Sequence, residues 1–271
     1  MKTERITALP DRVGLETLKG LAYLGGLARL AGESAYITFI GPFRGQRLRP
    51  QRAFHQGMAV GVQAIPIVSL ISFFVGLIIA LQSAYELRRL GAVQFVADTV
   101  AISIVRELGP LITAIIVIGR SGSAFAAEIG TMKVTEEVDA LKTLAIRPVA
   151  FLVAPKFLAM LVMVPCLTIW ADALGVLGGC LFGVGAANFT FVSYLQATRD
   201  ALVLRDITTG LAKSALFALV ITVVGCQEGF STGAGAEEVG RSTTSAVVTS
   251  IFLVILVDLV FTALFYATNL G

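Results

Sequence analysis

Charged residues are scarce in this chain, and their scarcity excludes an ordinary soluble domain. Only 14% of its 271 residues are charged, whereas soluble proteins carry roughly 25%. Hydrophobic residues make up 56% of the chain, and its mean hydropathy is +0.85. The charges cluster between apolar runs of roughly 20 residues or more, the length that crosses a bilayer core. The bilayer is therefore the solvent for most of this sequence.

Histidine is almost absent, and this argues against the one enzyme class that a local motif suggests. Gly119-Arg120-Ser121-Gly122 matches the G-x-S-G string of intramembrane serine proteases, which need a general-base histidine on a later span. The single histidine, His55, precedes the first apolar run, where an interfacial polar residue is expected. No G-x-x-x-x-G-K-[ST] string occurs, so the chain has no P-loop for nucleotide. We expect no catalytic residue here; if ATP drives transport, a separate chain hydrolyses it.

Cysteine is equally sparse, with three residues that all lie in or beside apolar runs: Cys166, Cys180 and Cys226. None has C-x-x-C spacing or a histidine nearby, so we interpret them as small packing residues and predict no metal or cofactor.

The net charge of +3 is concentrated near the N-terminus and favours anionic lipid headgroups over nucleic acid. The first ten residues are polar, and we expect no cleaved signal peptide.

Five apolar regions predict an all-α, polytopic membrane protein with about five transmembrane helices. They cover about Gly57–Gln82, Phe95–Gly119, Val149–Ala187, Ile207–Gln227 and Ser245–Thr268. The third region is long for one span, so a count of six stays open. We predict two parts of the chain: an amphipathic, interfacial helix region at 1–55 and a transmembrane domain at 56–271.

Lysine and arginine are unevenly distributed between the predicted loops. An inside N-terminus places nine of them in the cytoplasm: Arg44, Arg47, Arg49, Arg52, Arg120, Lys133, Lys142, Arg147 and Arg241. Four then lie outside: Arg88, Arg89, Arg199 and Arg205. Because positive loops stay cytoplasmic, this bias predicts a cytoplasmic N-terminus and an external C-terminus.

The loop between the second and third regions has the pattern of a short amphipathic helix within 128–144. Its apolar side comprises Met132, Val134, Val138, Leu141 and Leu144. Its polar side comprises Lys133, Glu136, Glu137 and Lys142. Such a helix suits a docking element for a soluble partner, although an interfacial helix without a partner has the same periodicity.

This loop also resembles the signature of the MlaE (YrbE) family of ABC-transporter permeases. The matching positions are Glu128-Ile129-Gly130, Met132, Val134, Glu136 and Val138-Asp139-Ala140-Leu141, with Pro148 and Pro155-Lys156 downstream. Three further segments agree: Arg106-Glu107-Leu108-Gly109-Pro110, Gly225-Cys226-Gln227-Glu228-Gly229 and the stretch from Gly235 to Val248. The resemblance covers about residue 56 to the C-terminus, with all four motifs in order.

The resemblance implies a homodimeric permease in the bacterial inner membrane that moves phospholipid through a cavity at the dimer interface. Its implied partners are cytoplasmic ABC ATPase subunits, a periplasmic MCE-domain lipid-binding protein and a second copy of the chain. The loop helix would then be a coupling helix that sits in a groove of the ATPase. Its predicted coupling residues are Glu128, Met132, Val134, Glu136, Glu137, Val138, Asp139 and Leu141.

The remaining candidates for a site are four of the charged residues inside the apolar regions, because an ionisable group in a bilayer marks a pair or a path. Arg106 and Glu107 are predicted to bind substrate. Their side chains should point about 100° apart on an α-helix, which predicts that they cannot face the same partner. Lys213 and Asp258 are predicted to form a structural pair. The alternative is that all four only hold the bundle together.

Two other functions fit the same pattern. A secondary transporter could be driven by protons through Glu107 or Asp258, and a membrane scaffold could anchor a lipid-binding complex without transporting. Gly175, Gly179 and Gly183 lie four apart on one helix face, where a second helix can approach closely. Spacing alone leaves open whether that neighbour belongs to the same chain or to a second copy.

Overall fold

The computed structural model describes residues 4–41, 50–186 and 189–268. These residues form eleven α-helices joined by short π-helical and 3-10 turns, and the described part contains no strand. The helices are α1 Glu4–Ala35, α2 Pro50–Val60, α3 Ile65–Arg89, α4 Val96–Ser103, α5 Gly109–Val117, α6 Ser123–Val134, α7 Glu137–Thr143, α8 Ala154–Ala186, α9 Phe191–Ala201, α10 Leu204–Ser231 and α11 Ala236–Ala267. The predicted all-α class is confirmed. Arg44, Arg47 and Arg49, used above for orientation, lie outside the described residues.

Five helical stretches are long and apolar enough to cross a membrane. They are Gln51–Arg89, Val93–Val134, Val149–Ala186, Leu204–Ser231 and Ala236–Ala267. The third apolar region is one span, since α8 runs through it without interruption. The five-span prediction is therefore confirmed. Successive spans cross in opposite directions, so α7 lies at one end of the bundle and α9 at the other, and we name these the α7 end and the α9 end.

The second span is interrupted where a proline follows its charged residues. Pro110 has no backbone N–H, and its ring would clash with the carbonyl four residues earlier, that of Arg106. The helix widens into a π-helical turn at Ile104–Leu108 before α5 begins at Gly109. Such turns occur often at functional sites. This one carries Arg106 and Glu107 and changes the directions in which their side chains leave the helix.

Glycines let α3 and α8 pack backbone against backbone. A Cβ atom on Gly76 would clash with the carbonyl oxygen of Gly175, and one on Gly178 would clash with that of Phe73. Gly179 and Gly183 both contact the side chain of Tyr194, a residue of α9 that is fully buried. The predicted close approach along this glycine face is confirmed, and the neighbours belong to the same chain.

The N-terminal helix α1 packs on the bundle by one face and leaves another exposed. Leu27 and Leu30 join the main hydrophobic core, while Leu18 and Leu21 are exposed. At the α7 end of α10, Glu228 accepts a 2.6 Å hydrogen bond from the hydroxyl of Tyr23. Burial, together with this bond, raises the pKa of Tyr23 above its ordinary value. The interfacial position of α1 stays a prediction.

Candidate functional site

Lys213, on α10, is the centre of a buried charged network. Only 2% of its side chain is exposed, and its Nζ lies 2.5 Å from Glu107 Oε2 on the second span. The same nitrogen donates to the Thr262 hydroxyl at 2.9 Å. Asp258 Oδ1 on α11 is also 2.9 Å away, an ion pair whose angles do not fit a hydrogen bond. A buried ammonium needs such partners because desolvation costs several kcal/mol.

The contact predicted between Lys213 and Asp258 is thus present, but it belongs to a larger set. Arg106 Nε donates a 2.6 Å hydrogen bond to Asp206 Oδ1, and Asp206 lies two helical turns before Lys213 on α10. Arg106 and Glu107 therefore both contact α10, although each contacts a different residue of that helix. The π-helical turn and the length of both side chains bring their charged ends to the same helix.

Asp206 was missed by the sequence reasoning because it precedes the fourth apolar region. Its carboxylate is buried, and its second oxygen accepts the backbone N–H of Val203 at 3.0 Å. A carboxylate three residues after a helix start is a recognised N-terminal signal, since it meets free N–H groups and the positive end of the helix dipole. That signal could have placed the start of α10 at Leu204 and identified Asp206 as a structural acid.

A cavity of about 200 Å³ opens beside this network, and we name it the Arg106 cavity. Its lining residues are Arg106, Glu107, Thr209, Lys213, Thr262, Phe265 and Tyr266. The Arg106 and Glu107 side chains are 32% and 38% exposed, in contrast to that of Lys213. The guanidinium has five N–H donors, of which the bond to Asp206 uses one. The cavity therefore offers hydrogen-bond donors, acceptors and aromatic surface together.

At the α7 end the predicted coupling residues do not form one helix. Glu128, Met132 and Val134 belong to α6, which ends at Val134, and the chain then turns at Thr135 and Glu136 into the short α7. Glu136 adopts a left-handed backbone conformation with φ of 61°. The single helix predicted within 128–144 is therefore divided between two helices, because this turn interrupts the helical periodicity.

The two helices expose a different apolar set from the predicted one. Val138 is buried within the chain, with 4% exposure, so its side chain packs inside rather than facing outward. Met132 and Leu141 are half-buried, whereas Leu144 is 70% exposed just after α7. On the polar side, Asp139 accepts a 2.7 Å hydrogen bond from Lys142, which lowers the pKa of Asp139 below its ordinary value.

Two lysines tie this end to the spans. Lys156 of α8 is buried and donates to Glu128 Oε2 at 2.8 Å. Lys133 donates to the backbone carbonyl of Phe230, near the end of α10, at 2.6 Å. A displacement of α6 and α7 would therefore reach α8 and α10 through direct polar contacts. Among the described residues, no group of three or more histidine, cysteine, aspartate or glutamate side chains could bind a metal ion.

Five crossing helices with ion-paired charges inside them define a multi-pass integral membrane protein. A family model described as Permease MlaE matches residues 53–264. The match covers most of the chain, which therefore belongs to the MlaE permease family.

The chain is also similar in sequence to several named proteins. A probable ABC transporter permease protein of Rickettsia felis is 41% identical over 258 residues, 95% of this chain and 98% of that protein. A probable ABC transporter permease protein of Rickettsia typhi is 42% identical over 211 residues, 78% of this chain and 82% of that protein. The chloroplastic protein TRIGALACTOSYLDIACYLGLYCEROL 1 of Arabidopsis thaliana is 35% identical over 206 residues, 76% of this chain and 59% of that protein. The chain is thus a permease of the ABC transporter class.

Proposed function

We propose that the chain is the permease subunit of an ATP-driven phospholipid transporter of the MCE type in the bacterial inner membrane. The Arg106 cavity carries this proposal, because it joins charged donors and acceptors to the aromatic side chains of Phe265 and Tyr266. An amphiphile with a charged headgroup needs both kinds of surface. A lipid phosphate would accept hydrogen bonds from Arg106, and Glu107 would meet the rest of the headgroup.

Lys213 and Asp258 have a supporting role in this proposal. They hold Glu107 from the protein side and leave part of its carboxylate facing the cavity. A proton path would use Glu107 or Asp258 as a carrier, but both acids are ion-paired to one buried lysine, and this supports positioning of the headgroup instead. Transport that persists without the ATPase and follows a pH gradient would favour the proton-driven alternative.

A second copy of the chain completes the site in this proposal. The Arg106 cavity, at about 200 Å³, is smaller than the roughly 300–1,000 Å³ of typical ligand sites. Beside it, α11 exposes eight large apolar side chains: Val248, Phe252, Ile255, Leu256, Leu259, Val260, Leu264 and Tyr266. A two-fold dimer through this face would place two such cavities next to each other. A Leu259→Cys variant should then cross-link to itself in membranes, whereas Leu81→Cys, exposed on α3, should not.

Coupling to ATP hydrolysis on a separate cytoplasmic chain is proposed for the α7 end. The end of α6 and the short α7 carry polar and apolar side chains there, and the Lys156 and Lys133 contacts connect α6 to α8 and α10. The N-terminus lies in the cytoplasm in this proposal, and the α9 end faces the periplasm and an MCE-domain lipid-binding protein.

A matched pair of exposed leucines tests the coupling. Leu144 is 70% exposed at the α7 end, and Leu90 is 78% exposed at the α9 end. We expect Leu144→Asp to be membrane-inserted but to lose ATPase subunits during purification, because a docking hot spot contributes about 2 kcal/mol. Leu90→Asp should retain them. The half-buried Leu141→Asp should lose them as well, with some loss of stability.

The readout is the ATPase retained on the tagged chain and the ATP-dependent movement of a fluorescent phospholipid in proteoliposomes. Equal retention and equal lipid movement in Leu144→Asp, Leu141→Asp and wild type would reject the coupling role of this segment. Retained ATPase with no lipid movement in the wild-type complex would favour the scaffold alternative.

A further inference from the structure

A second cavity, of about 580 Å³, lies at the α7 end, apart from the Arg106 cavity that is proposed to bind the transported lipid. It is lined by Gln51, Arg52, His55, Gln56, Glu128, Phe151, Leu152, Pro155 and Lys156, and we name it the Arg52 cavity. These residues come from α2, α6 and the start of the third span. The first and third spans both begin beside it, which places it where a bilayer changes from headgroups to hydrocarbon.

Cations outnumber acids around this cavity. Lys156 has 2% of its side chain exposed and donates to Glu128 at 2.8 Å. The guanidinium carbon of Arg52 lies 3.8 Å from the centroid of the Phe151 ring, a cation–π contact that restrains the guanidinium over the ring face. Glu128 is the single acid among the described lining residues. Arg52, Lys156 and Glu128 together give a formal charge of +1, and His55 adds a further N–H donor.

The rest of the lining contains apolar side chains that a free anion would not need. Phe151, Leu152 and Pro155 border the cavity together with the cationic groups. The volume is within the roughly 300–1,000 Å³ range of sites for drug-sized ligands and is several times what inorganic phosphate fills. Donors, a net positive charge and an apolar wall at this depth match the headgroup and upper acyl region of an anionic lipid.

We propose that the Arg52 cavity binds the headgroup of an anionic phospholipid from the leaflet at the α7 end. Its phosphate accepts hydrogen bonds from Arg52 and His55, and the cavity keeps a net positive charge because Glu128 balances only one of its two cations, Arg52 and Lys156. The glycerol and upper acyl chains lie against Phe151 and Leu152. This site requires only that the chain spans a bilayer, so its failure and the failure of the proposed transport function are separate outcomes.

Lipid titration of the full-length chain tests this site. The purified chain, delipidated in a non-ionic detergent, is titrated with dioctanoyl phosphatidylglycerol, dioctanoyl phosphatidylcholine or inorganic phosphate, and bound molecules are counted by native mass spectrometry. We expect a phosphatidylglycerol site, separate from any lipid bound in the Arg106 cavity, that Arg52→Gln or His55→Gln weakens about tenfold, the effect of losing one charge-assisted hydrogen bond. Arg89→Gln, the same charge change on an exposed residue at the α9 end, should leave the affinity unchanged.

Each other outcome overturns the proposal. Unchanged affinity in both cavity variants would exclude the cavity, and equal weakening by Arg89→Gln would indicate unspecific attraction. Phosphatidylcholine binding equally well would remove the preference for an anionic lipid, and inorganic phosphate competing at similar concentration would indicate a free-anion site. Loss of the Arg52-dependent site when the ATPase subunits are bound would assign the cavity to a protein partner. Melting temperatures without lipid show whether both variants are folded.

Discussion

Lys213 and Lys156 are equally buried, yet their surroundings are different. Lys213 contacts the carboxylates of Glu107 and Asp258 and a threonine hydroxyl. Lys156 contacts one carboxylate, Glu128, which is 46% exposed, and lies 5.1 Å from the centroid of the Phe125 ring. One lysine is surrounded by acids inside the bundle, and the other shares a single acid with solvent.

The difference separates two uses of a buried cation. At Lys213 the protein supplies the counter-charge, so the ammonium holds acids in place and fixes the geometry of the Arg106 cavity. At Lys156 the protein supplies less counter-charge, and Arg52 adds a second cation on the same cavity. An anion from outside the chain can complete only the second environment. The comparison therefore supports the proposed positioning role of Lys213 and the proposed binding of an anion beside Lys156.

The largest expected effect comes from removing Lys213. Lys213→Ala leaves Glu107 and Asp258 close together without their shared cation, which should lower the free energy of unfolding by roughly 3–5 kcal/mol. A triple variant with Lys213→Met, Glu107→Gln and Asp258→Asn should lose less, because no buried charge remains unpaired. Unfolding by SDS titration in mixed micelles measures both. Wild-type stability in Lys213→Ala would contradict the ion-pair assignment.

Removing Lys156 should lower the stability less than removing Lys213 does, and the difference between the two losses tests the comparison of the two lysines. Lys156→Ala frees one carboxylate that water already reaches, so we expect a loss of about 1–2 kcal/mol in the same titration. The Lys156 and Lys213 variants have the same change in side chain and the same initial burial. A loss as large as that of Lys213→Ala would show that exposure of the partner acid does not decide the cost.

The smallest effect is expected for the exposed pair on α7. Lys142 and Asp139 are both more than 60% exposed, and solvent screens such pairs almost completely. Because Lys142 lowers the pKa of Asp139, any stabilisation is present above the ordinary pKa of aspartate and is lost as the pH falls through the lowered value. Asp139→Asn should leave the unfolding midpoint at neutral pH unchanged. A clear shift would show that this end is less hydrated than its exposure indicates.

The spans could be predicted from the sequence because bilayer thickness sets their length and hydrocarbon excludes charge. The same scarcity of charge identified Arg106, Glu107, Lys213 and Asp258 before their contacts were known. Asp206 escaped notice because it lies at a span boundary, where an acid carries no such cost. Hydropathy identifies that a charge is buried, but it cannot identify the partner.

The loop at the α7 end shows where periodicity fails. The turn is formed by Thr135 and Glu136, and neither of them is a glycine or a proline. Nothing in the local sequence therefore predicts the left-handed backbone conformation there. The predicted helix accordingly continued through it and placed Val138 on the docking side. Tertiary packing determines which apolar side chains are exposed here, since Val138 is buried within the chain and Leu144 is exposed.

The most direct test of the account is ATP-dependent phospholipid movement by proteoliposomes that contain the complex with Arg106→Gln. The matched control is Arg199→Gln, the same change at an exposed residue of α9. We expect the Arg106→Gln complex to retain its ATPase subunits but to move lipid at least tenfold more slowly, because Arg106 is the cationic residue of the cavity whose side chain is accessible. The Arg199→Gln complex should move lipid like wild type. Wild-type lipid movement by Arg106→Gln would contradict the assignment of the Arg106 cavity as the lipid site.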